Sequence, residues 1–243
     1  MNNKKEWFSE WFDSEYYHIL YSNRNEAEAE NFIGNLYHEL NLKPGQKVMD
    51  LACGKGRHSF TLNKLGLNVT GLDLALNSIE AANQFSNETL KFGVHDMREK
   101  YPENNFDVVF NLFTSFGYFD EQTDNEKVLK CINENLKPNG ILVIDFMNEH
   151  KVVSNLVKKE EKTVQEIKFI INRRTTEKHI YKNIQFLDYE FEERVQRVSL
   201  KDFIQLFEKT GFKLKNVFGN FNLNEFNLET SDRLVLIAEK VSF

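Results

Sequence analysis

Two cysteines, Cys53 and Cys131, are too few for a disulfide framework or a cysteine-based metal cluster. Three prolines and eleven glycines in 243 residues exclude a fibrous or linker-dominated chain. No long hydrophobic run exists: the apolar stretches, such as 108–110 and 140–144, are strand-sized, so no membrane span is expected. Met1-Asn2-Asn3-Lys4-Lys5-Glu6-Trp7 lacks the apolar core of a signal peptide, which makes a cytoplasmic location the expectation. An excess of positive charge is missing too. Against 31 Lys and Arg stand 37 Asp and Glu, a net charge of −6, which disfavours non-specific nucleic-acid binding. His18, His38, His95 and His179 show no metal-ligand spacing, so no metal site is expected. What the chain does have is aromatic mass: 22 Phe, 8 Tyr and 2 Trp, which argues against disorder. The length suits one cored domain with a modest insertion.

Along the chain, 6–42 reads as helical, with Trp7, Phe8, Trp11 and Phe12 at three- and four-residue spacing and an amphipathic stretch over 25–40. From Lys43-Pro44-Gly45 onward, short apolar runs alternate with helical patterns. Strands are predicted at 47–51, 68–72, 90–94, 106–110 and 140–145, with helices at 57–65, 76–85 and 124–136 and a turn at Pro138-Asn139-Gly140. Nearly continuous hydrophobicity in strands separated by helices predicts a parallel sheet covered on both faces. Residues 162–198 break the rhythm and read as two or three antiparallel strands with one wet face. Ser199 starts a helix that ends at Gly211, and strands follow at 212–218 and 233–238.

The strongest local pattern is Val48-Met49-Asp50-Leu51-Ala52-Cys53-Gly54-Lys55-Gly56-Arg57. A buried strand delivers an acid, then a turn with two glycines, then a helix start whose N–H groups are unpaired. Asp73 ends the next strand, nineteen residues beyond Gly54, where a carboxylate can accept both hydroxyls of an adenosine ribose. Together these point to an adenosine-containing cofactor. The third glycine of a dinucleotide fingerprint is replaced by Ser59, and Asp50 would repel a pyrophosphate. A phosphate-free cation such as S-adenosylmethionine fits better.

The residues now carry a resemblance. Asp50-Leu51-Ala52-Cys53-Gly54-Lys55-Gly56 resembles the first motif of the Rossmann-like, class I S-adenosylmethionine-dependent methyltransferases, and Asp73-Leu74 their acidic second motif. His95-Asp96-Met97-Arg98 matches the adenine-contacting position, 106–113 the fourth strand, and 136–142 the turn into the fifth. The likeness covers roughly residues 45–240. Within the family, 112–119 and the N-terminal Tyr16, Tyr17, Tyr21 and Arg24 are similar to a subgroup of small-molecule N-methyltransferases. The resemblance implies an α/β fold: a doubly wound, mostly parallel seven-stranded sheet with an antiparallel last strand, plus a small antiparallel layer covering the substrate. It implies a helical lid over 1–42, a cofactor-binding core over 43–161, a covering insertion over 162–198 and the remainder of the core over 199–243.

The resemblance also implies residue roles. Asp50 and the backbone at Ala52 and Gly54 would receive the methionine ammonium group, and Gly56 would permit close approach. Asp73 would hold ribose, with Leu74 beside adenine; Asp96 would accept from the adenine amino group, with Met97 against the ring. Tyr16, Tyr17, Tyr21 and Arg24 would close over the methionine end. Leu112 and Phe113 would line the methyl channel, and Phe113, Phe119, Arg194 and Arg233 would meet the acceptor. Tyr118 and His150 are the catalytic candidates, with His58 taken as structural. The expected function is methyl transfer from S-adenosylmethionine, giving S-adenosylhomocysteine, to a small-molecule amine, by a monomer or homodimer without nucleic-acid or membrane partners. The alternatives are a methyltransferase acting on RNA or protein, a non-catalytic cofactor-binding partner protein, and an NAD-dependent dehydrogenase.

Overall fold

The computed structural model describes residues 6–22 and 26–241. Its chain runs through α1 (Trp7–Trp11), α2 (Glu15–Leu20), α3 (Glu26–Glu39), β1 (Lys47–Leu51), α4 (Arg57–Lys64), β2 (Asn68–Asp73), α5 (Leu76–Asn83), β3 (Leu90–Val94) and β4 (Phe106–Asn111). It continues through α6 (Gln122–Asn135), β5 (Leu136–Met147), α7 (Glu149–Ser154), β6 (Lys159–Val164), β7 (Ile167–Thr175), β8 (His179–Phe186), β9 (Tyr189–Gln196), α8 (Leu200–Thr210), β10 (Phe212–Phe218) and β11 (Arg233–Lys240).

Seven strands form one sheet in the order β10-β11-β5-β4-β1-β2-β3. The pairs from β3 to β5 are parallel, and β11 runs antiparallel to both β5 and β10. The predicted seven-stranded, mostly parallel sheet is therefore present. Successive residues of β1 feed opposite cores, as the two-residue period of a strand requires. Met49 and Leu51 join Val109, Ile144 and the inward faces of α6 and α8, with Phe8 of α1 on the same side. Val48 joins Val108, Phe110, Val143 and the α3 and α4 residues Phe32, Ile33, Leu36 and Leu62. The strand order reverses between β1 and β4, so the crevice beyond their carboxyl ends is where such a fold receives ligands.

Four strands, β6-β7-β8-β9, form a separate antiparallel sheet over 159–196. Phe169, Ile171, Ile184 and Phe186 on its apolar face pack with Trp11 and Leu20 of α1 and α2. The N-terminal helices thus stand between this sheet and the crevice. The expected two or three strands become four because β6, Lys-Glu-Glu-Lys-Thr-Val, carries mainly charged residues and little apolar signal.

Other differences are local. The helical region expected over 6–42, with its second segment at 25–40, comprises three helices, because the part before residue 25 is itself divided. Ser14 caps α2 by accepting from the Tyr17 N–H, and residues 23–25 lie outside the description. The turn expected at 138–140 is an excursion within β5, where Asn139 has φ 60° and the register with β4 skips between Phe106 and Val108. α8 follows expectation. Ser199 and Asp202 cap it reciprocally, and Gly211 closes it. Among the described residues no helix is long and apolar enough to cross a membrane.

Candidate active site

The turn after β1 is built from left-handed backbone. Ala52, Gly54 and Gly56 have φ of 62°, 56° and 78°. The two glycines serve different ends. A Cβ on Gly54 would meet nothing within 4 Å, and Gly54 lines the cavity beyond the carboxyl ends of β1, β2 and β4. A Cβ on Gly56 would stand 2.6 Å from the Phe92 ring. Gly56 is not among the residues lining the cavity, and its missing side chain makes room for the Phe92 ring between α4 and β3. Asp50 is 1% exposed and accepts a 2.6 Å hydrogen bond from the Ser59 hydroxyl. Burial pushes its carboxyl up to about 6, although the Ser59 hydroxyl acts in the opposite direction. It lies behind the turn, not on the cavity wall.

Asp73, at the end of β2, accepts from the Gly54 N–H at 2.7 Å through Oδ2 and from the Ala75 N–H at 2.8 Å through Oδ1. Burial raises its carboxyl above the ordinary range, and these backbone donors oppose the shift. A carboxylate has roughly four acceptor positions. Each oxygen here therefore keeps capacity for a further donor, facing the cavity that Asp73 lines. Asp96, after β3, also lines it, beside Leu74 and Met97. Asp96 accepts from Arg98 Nε at 3.0 Å and Nη2 at 2.6 Å. Burial would raise its carboxyl, but the Arg98 hydrogen bonds and charge prevail and hold it low.

The opposite wall follows β4. Leu112, Phe113, Ser115, Tyr118 and Phe119 line the cavity, and Phe113 and Thr114 are both left-handed, with φ 66° and 61°. Two such residues in succession are strained. Buried Asp145 on β5 holds them: its Oδ2 accepts from the Phe113 N–H at 2.9 Å and its carbonyl from the Thr114 N–H at 2.9 Å. Arg233 completes the clamp, donating to Asp145 Oδ1 at 2.8 Å and to Thr114 Oγ1 at 2.9 Å.

The N-terminal helices close the third side with Phe8, Phe12, Tyr17, His18 and Tyr21. Phe12 packs against Tyr17 and Tyr118, with centroids 5.0 Å away in each case, and Phe8 meets Phe119 edge-on at 5.8 Å. Glu193 on β9 fastens this segment by accepting from Trp11 Nε1 at 2.7 Å and from the Tyr21 hydroxyl at 2.8 Å. The enclosed space is about 390 Å³, within the range of small-ligand pockets.

Of the residues expected at the site, Tyr21, Ala52, Gly54, Asp73, Leu74, Asp96, Met97, Leu112, Phe113, Tyr118 and Phe119 converge on this cavity. Others do not. Tyr16 stacks outward on Phe186 and Tyr189 at 4.7 and 5.2 Å, and its neighbour Tyr17 takes the inward place. His150 lies on α7, paired with Glu229 at 3.1 Å, away from the cavity wall. Arg194 pairs with Asp120, and Arg233 with Asp145, so neither guanidinium lines the cavity. Arg24 lies outside the described residues.

Phe12, which the sequence places only within the N-terminal aromatic segment, and Tyr17, expected at the methionine end, line the cavity, as do His18, which the sequence does not single out for the site, and His58, which it assigns to the framework. The alternation of aromatic residues in the N-terminal helices was the available signal. Burial, and then Lys55, push His18 down to about 4, so its ring is neutral at pH 7. Its Nε2 lies 3.4 Å from the Ser78 hydroxyl of α5. Among the described residues no cluster of metal-ligating side chains occurs.

The site fits S-adenosylmethionine. Asp73, with acceptor capacity left on each oxygen, and Asp96, held by the backbone N–H and guanidinium of Arg98, border one cavity together with the glycine turn and an aromatic wall. A methyltransferase domain model matches residues 42–194, more than half of the chain. Phosphoethanolamine N-methyltransferase 1 of Arabidopsis thaliana is 34% identical over 122 residues, covering 48% of this chain. That match takes in 24% of the plant protein, so the chain spans about a quarter of that relative's length. A Clostridium acetobutylicum S-adenosylmethionine-dependent methyltransferase structure superposes with TM-score 0.80 at 16% identity, covering 93% of this chain and 96% of the other. The S-adenosylmethionine-bound amino pentose methyltransferase CalS10 of Micromonospora echinaspora gives 0.73 at 16% identity, covering 94% and 98%. By the family model, by the fold and by the cofactor turn, the chain belongs to the class I S-adenosylmethionine-dependent methyltransferases.

Proposed function

We propose that the protein transfers a methyl group from S-adenosylmethionine to the nitrogen of a small-molecule amine. The observation that carries this is the cavity itself, which runs from Asp73 and Asp96 to a wall of Phe12, Tyr17, Phe113, Tyr118 and Phe119. Bound S-adenosylmethionine supplies a methyl group on a cationic sulfur, reactive without covalent help from the protein. In this reading Asp73 accepts the ribose hydroxyls and Asp96 the adenine amino group, with Leu74 and Met97 against the ring. The glycine turn admits the methionine portion. The N-terminal aromatic residues exclude water and hold the acceptor in line, which is the main service such a reaction needs.

An amine suits the wall for a charge reason. Transfer moves one positive charge from sulfur to nitrogen, so the site holds a cation before and after the step. Aromatic faces stabilise a nearby cation by about 0.5–2 kcal/mol. The N-methyltransferases among the similar proteins support the same acceptor class. The test incubates the protein and S-adenosylmethionine with separate panels of small amines, carboxylates, phenols, RNA and protein. Acceptor-dependent S-adenosylhomocysteine should form with amines, each product gaining one methylene in mass. Turnover with RNA or protein and none with any amine contradicts the proposal.

A further inference from the structure

The cavity acid Asp96 and the N-terminal segment share one guanidinium. Arg98 presents Nε and Nη2 to Asp96, at 3.0 and 2.6 Å. Its Nη1 and Nη2 donate to Glu6 at 2.8 and 2.6 Å. Glu6 is the residue on which α1 begins. The flat face of Arg98 lies over the Phe119 ring, 4.8 Å from its centroid, with Phe8 at 6.0 Å. One planar group therefore touches the adenine-side acid, the first turn of the covering helices and the wall that follows β4. Two carboxylates matched to two edges of a guanidinium make a geometrically demanding junction.

We propose that Arg98 is a positioning residue that couples occupancy of the adenine end to closure of the N-terminal segment. The proposal rests on the reading of Asp96 as the adenine acceptor. Phe8, Phe12, Tyr17 and Tyr21 complete the cavity only when the segment is down. The Glu6 bridge favours that state, and Asp96 holds Arg98 in place to make it. A ligand that orders Asp96 orders the fork offered to Glu6. By linkage, the bridge must raise the ligand's affinity by the same factor.

The chain provides its own reporter. Both of its tryptophans, Trp7 and Trp11, lie in α1. Trp11 is fully buried, against β8 and β9. Acrylamide quenching of tryptophan emission thus reads opening of this segment alone. The experiment compares wild type, Glu6→Gln, Arg98→Lys and Asp96→Asn in the full-length chain, with and without S-adenosylhomocysteine, alongside its calorimetric affinity. Glu6 is surface-placed, so Glu6→Gln poses little risk to folding.

In wild type, S-adenosylhomocysteine should lower quenching. Glu6→Gln and Arg98→Lys should bind it three- to tenfold more weakly and lose at least half of that protection. Lysine keeps the charge but cannot serve both carboxylates. The Asp96→Asn, Glu6→Gln double variant should lose less affinity than the product of the single losses. Wild-type affinity and protection in Glu6→Gln, with Asp96→Asn weakened, would overturn the coupling and leave the adenine assignment standing. Undiminished affinity in Asp96→Asn would overturn that assignment and the coupling with it.

Discussion

Asp73 and Gly54 stand 19 residues apart and are joined by a 2.7 Å hydrogen bond from the glycine N–H to the carboxylate. The same side chain receives the Ala75 N–H, so one acid at the end of β2 sets the course of two loops at the mouth of the cavity. Asp73→Ala removes the acceptor of both backbone donors as well as the proposed ribose contact. Each charge-assisted bond contributes about 1.5–3 kcal/mol. The variant should unfold at lower urea concentration and bind S-adenosylhomocysteine at least tenfold more weakly; calorimetry and urea titration check the two effects.

The two glycines of the turn should separate under substitution. Gly56→Ala drives a methyl group into the Phe92 ring and should cost stability, on the order of 1–3 kcal/mol from overpacking alone. Gly54→Ala meets open space and should cost mainly backbone strain, about 1 kcal/mol. Its added methyl borders the cavity, so loss of S-adenosylhomocysteine affinity should be its larger effect. Thermal unfolding and calorimetry on the pair decide this. Equal destabilisation with intact binding in both would contradict the division of roles.

Asp50 gives a pH signature. Its folded value of about 6 lies above the ordinary 3.8, because burial disfavours the charged form. Ionised Asp50 therefore opposes folding. The penalty is absent below about pH 4, grows as pH rises, and is complete above about pH 6, amounting to about 3 kcal/mol. Relative to Asp50→Asn, the ligand-free wild type should lose stability across that window and no further above it. Urea denaturation of both proteins from pH 4 to pH 8 measures the difference. A difference independent of pH would contradict it.

Arg233 should behave as part of the framework. It neutralises Asp145, which is fully buried, and the two hold the Phe113–Thr114 backbone. Arg233→Met leaves that carboxylate unpaired, a loss of about 3–5 kcal/mol. Asp145→Asn in the Arg233→Met background should recover part of it. A contact made only with the acceptor would lower acceptor affinity and leave unfolding unchanged.

The sequence made the local features legible. The succession of strands and helices and the glycine turn after β1 follow from short-range pattern and turn chemistry, as does the carboxylate at Asp73. Directions and distant partners were not legible. Tyr16 and Tyr17 are adjacent on a helix, where neighbours point about 100° apart, and only packing on Phe186 and Tyr189 decides that Tyr16 faces out. Arg233 and Asp145 are 88 residues apart. Their union depends on β11 pairing antiparallel to β5, which no local pattern encodes. His150 stood just past a strand end, as a catalytic residue would, but α7 turns it toward Glu229.

The proposed function requires that the cavity hold S-adenosylmethionine through Asp73 and the Gly54 turn. Calorimetric titration of the purified chain with S-adenosylhomocysteine, and separately with NAD, tests it most directly. One S-adenosylhomocysteine site per chain is expected, with affinity on the order of micromolar or tighter, and no heat from NAD. Saturable binding of NAD with none of S-adenosylhomocysteine would contradict it.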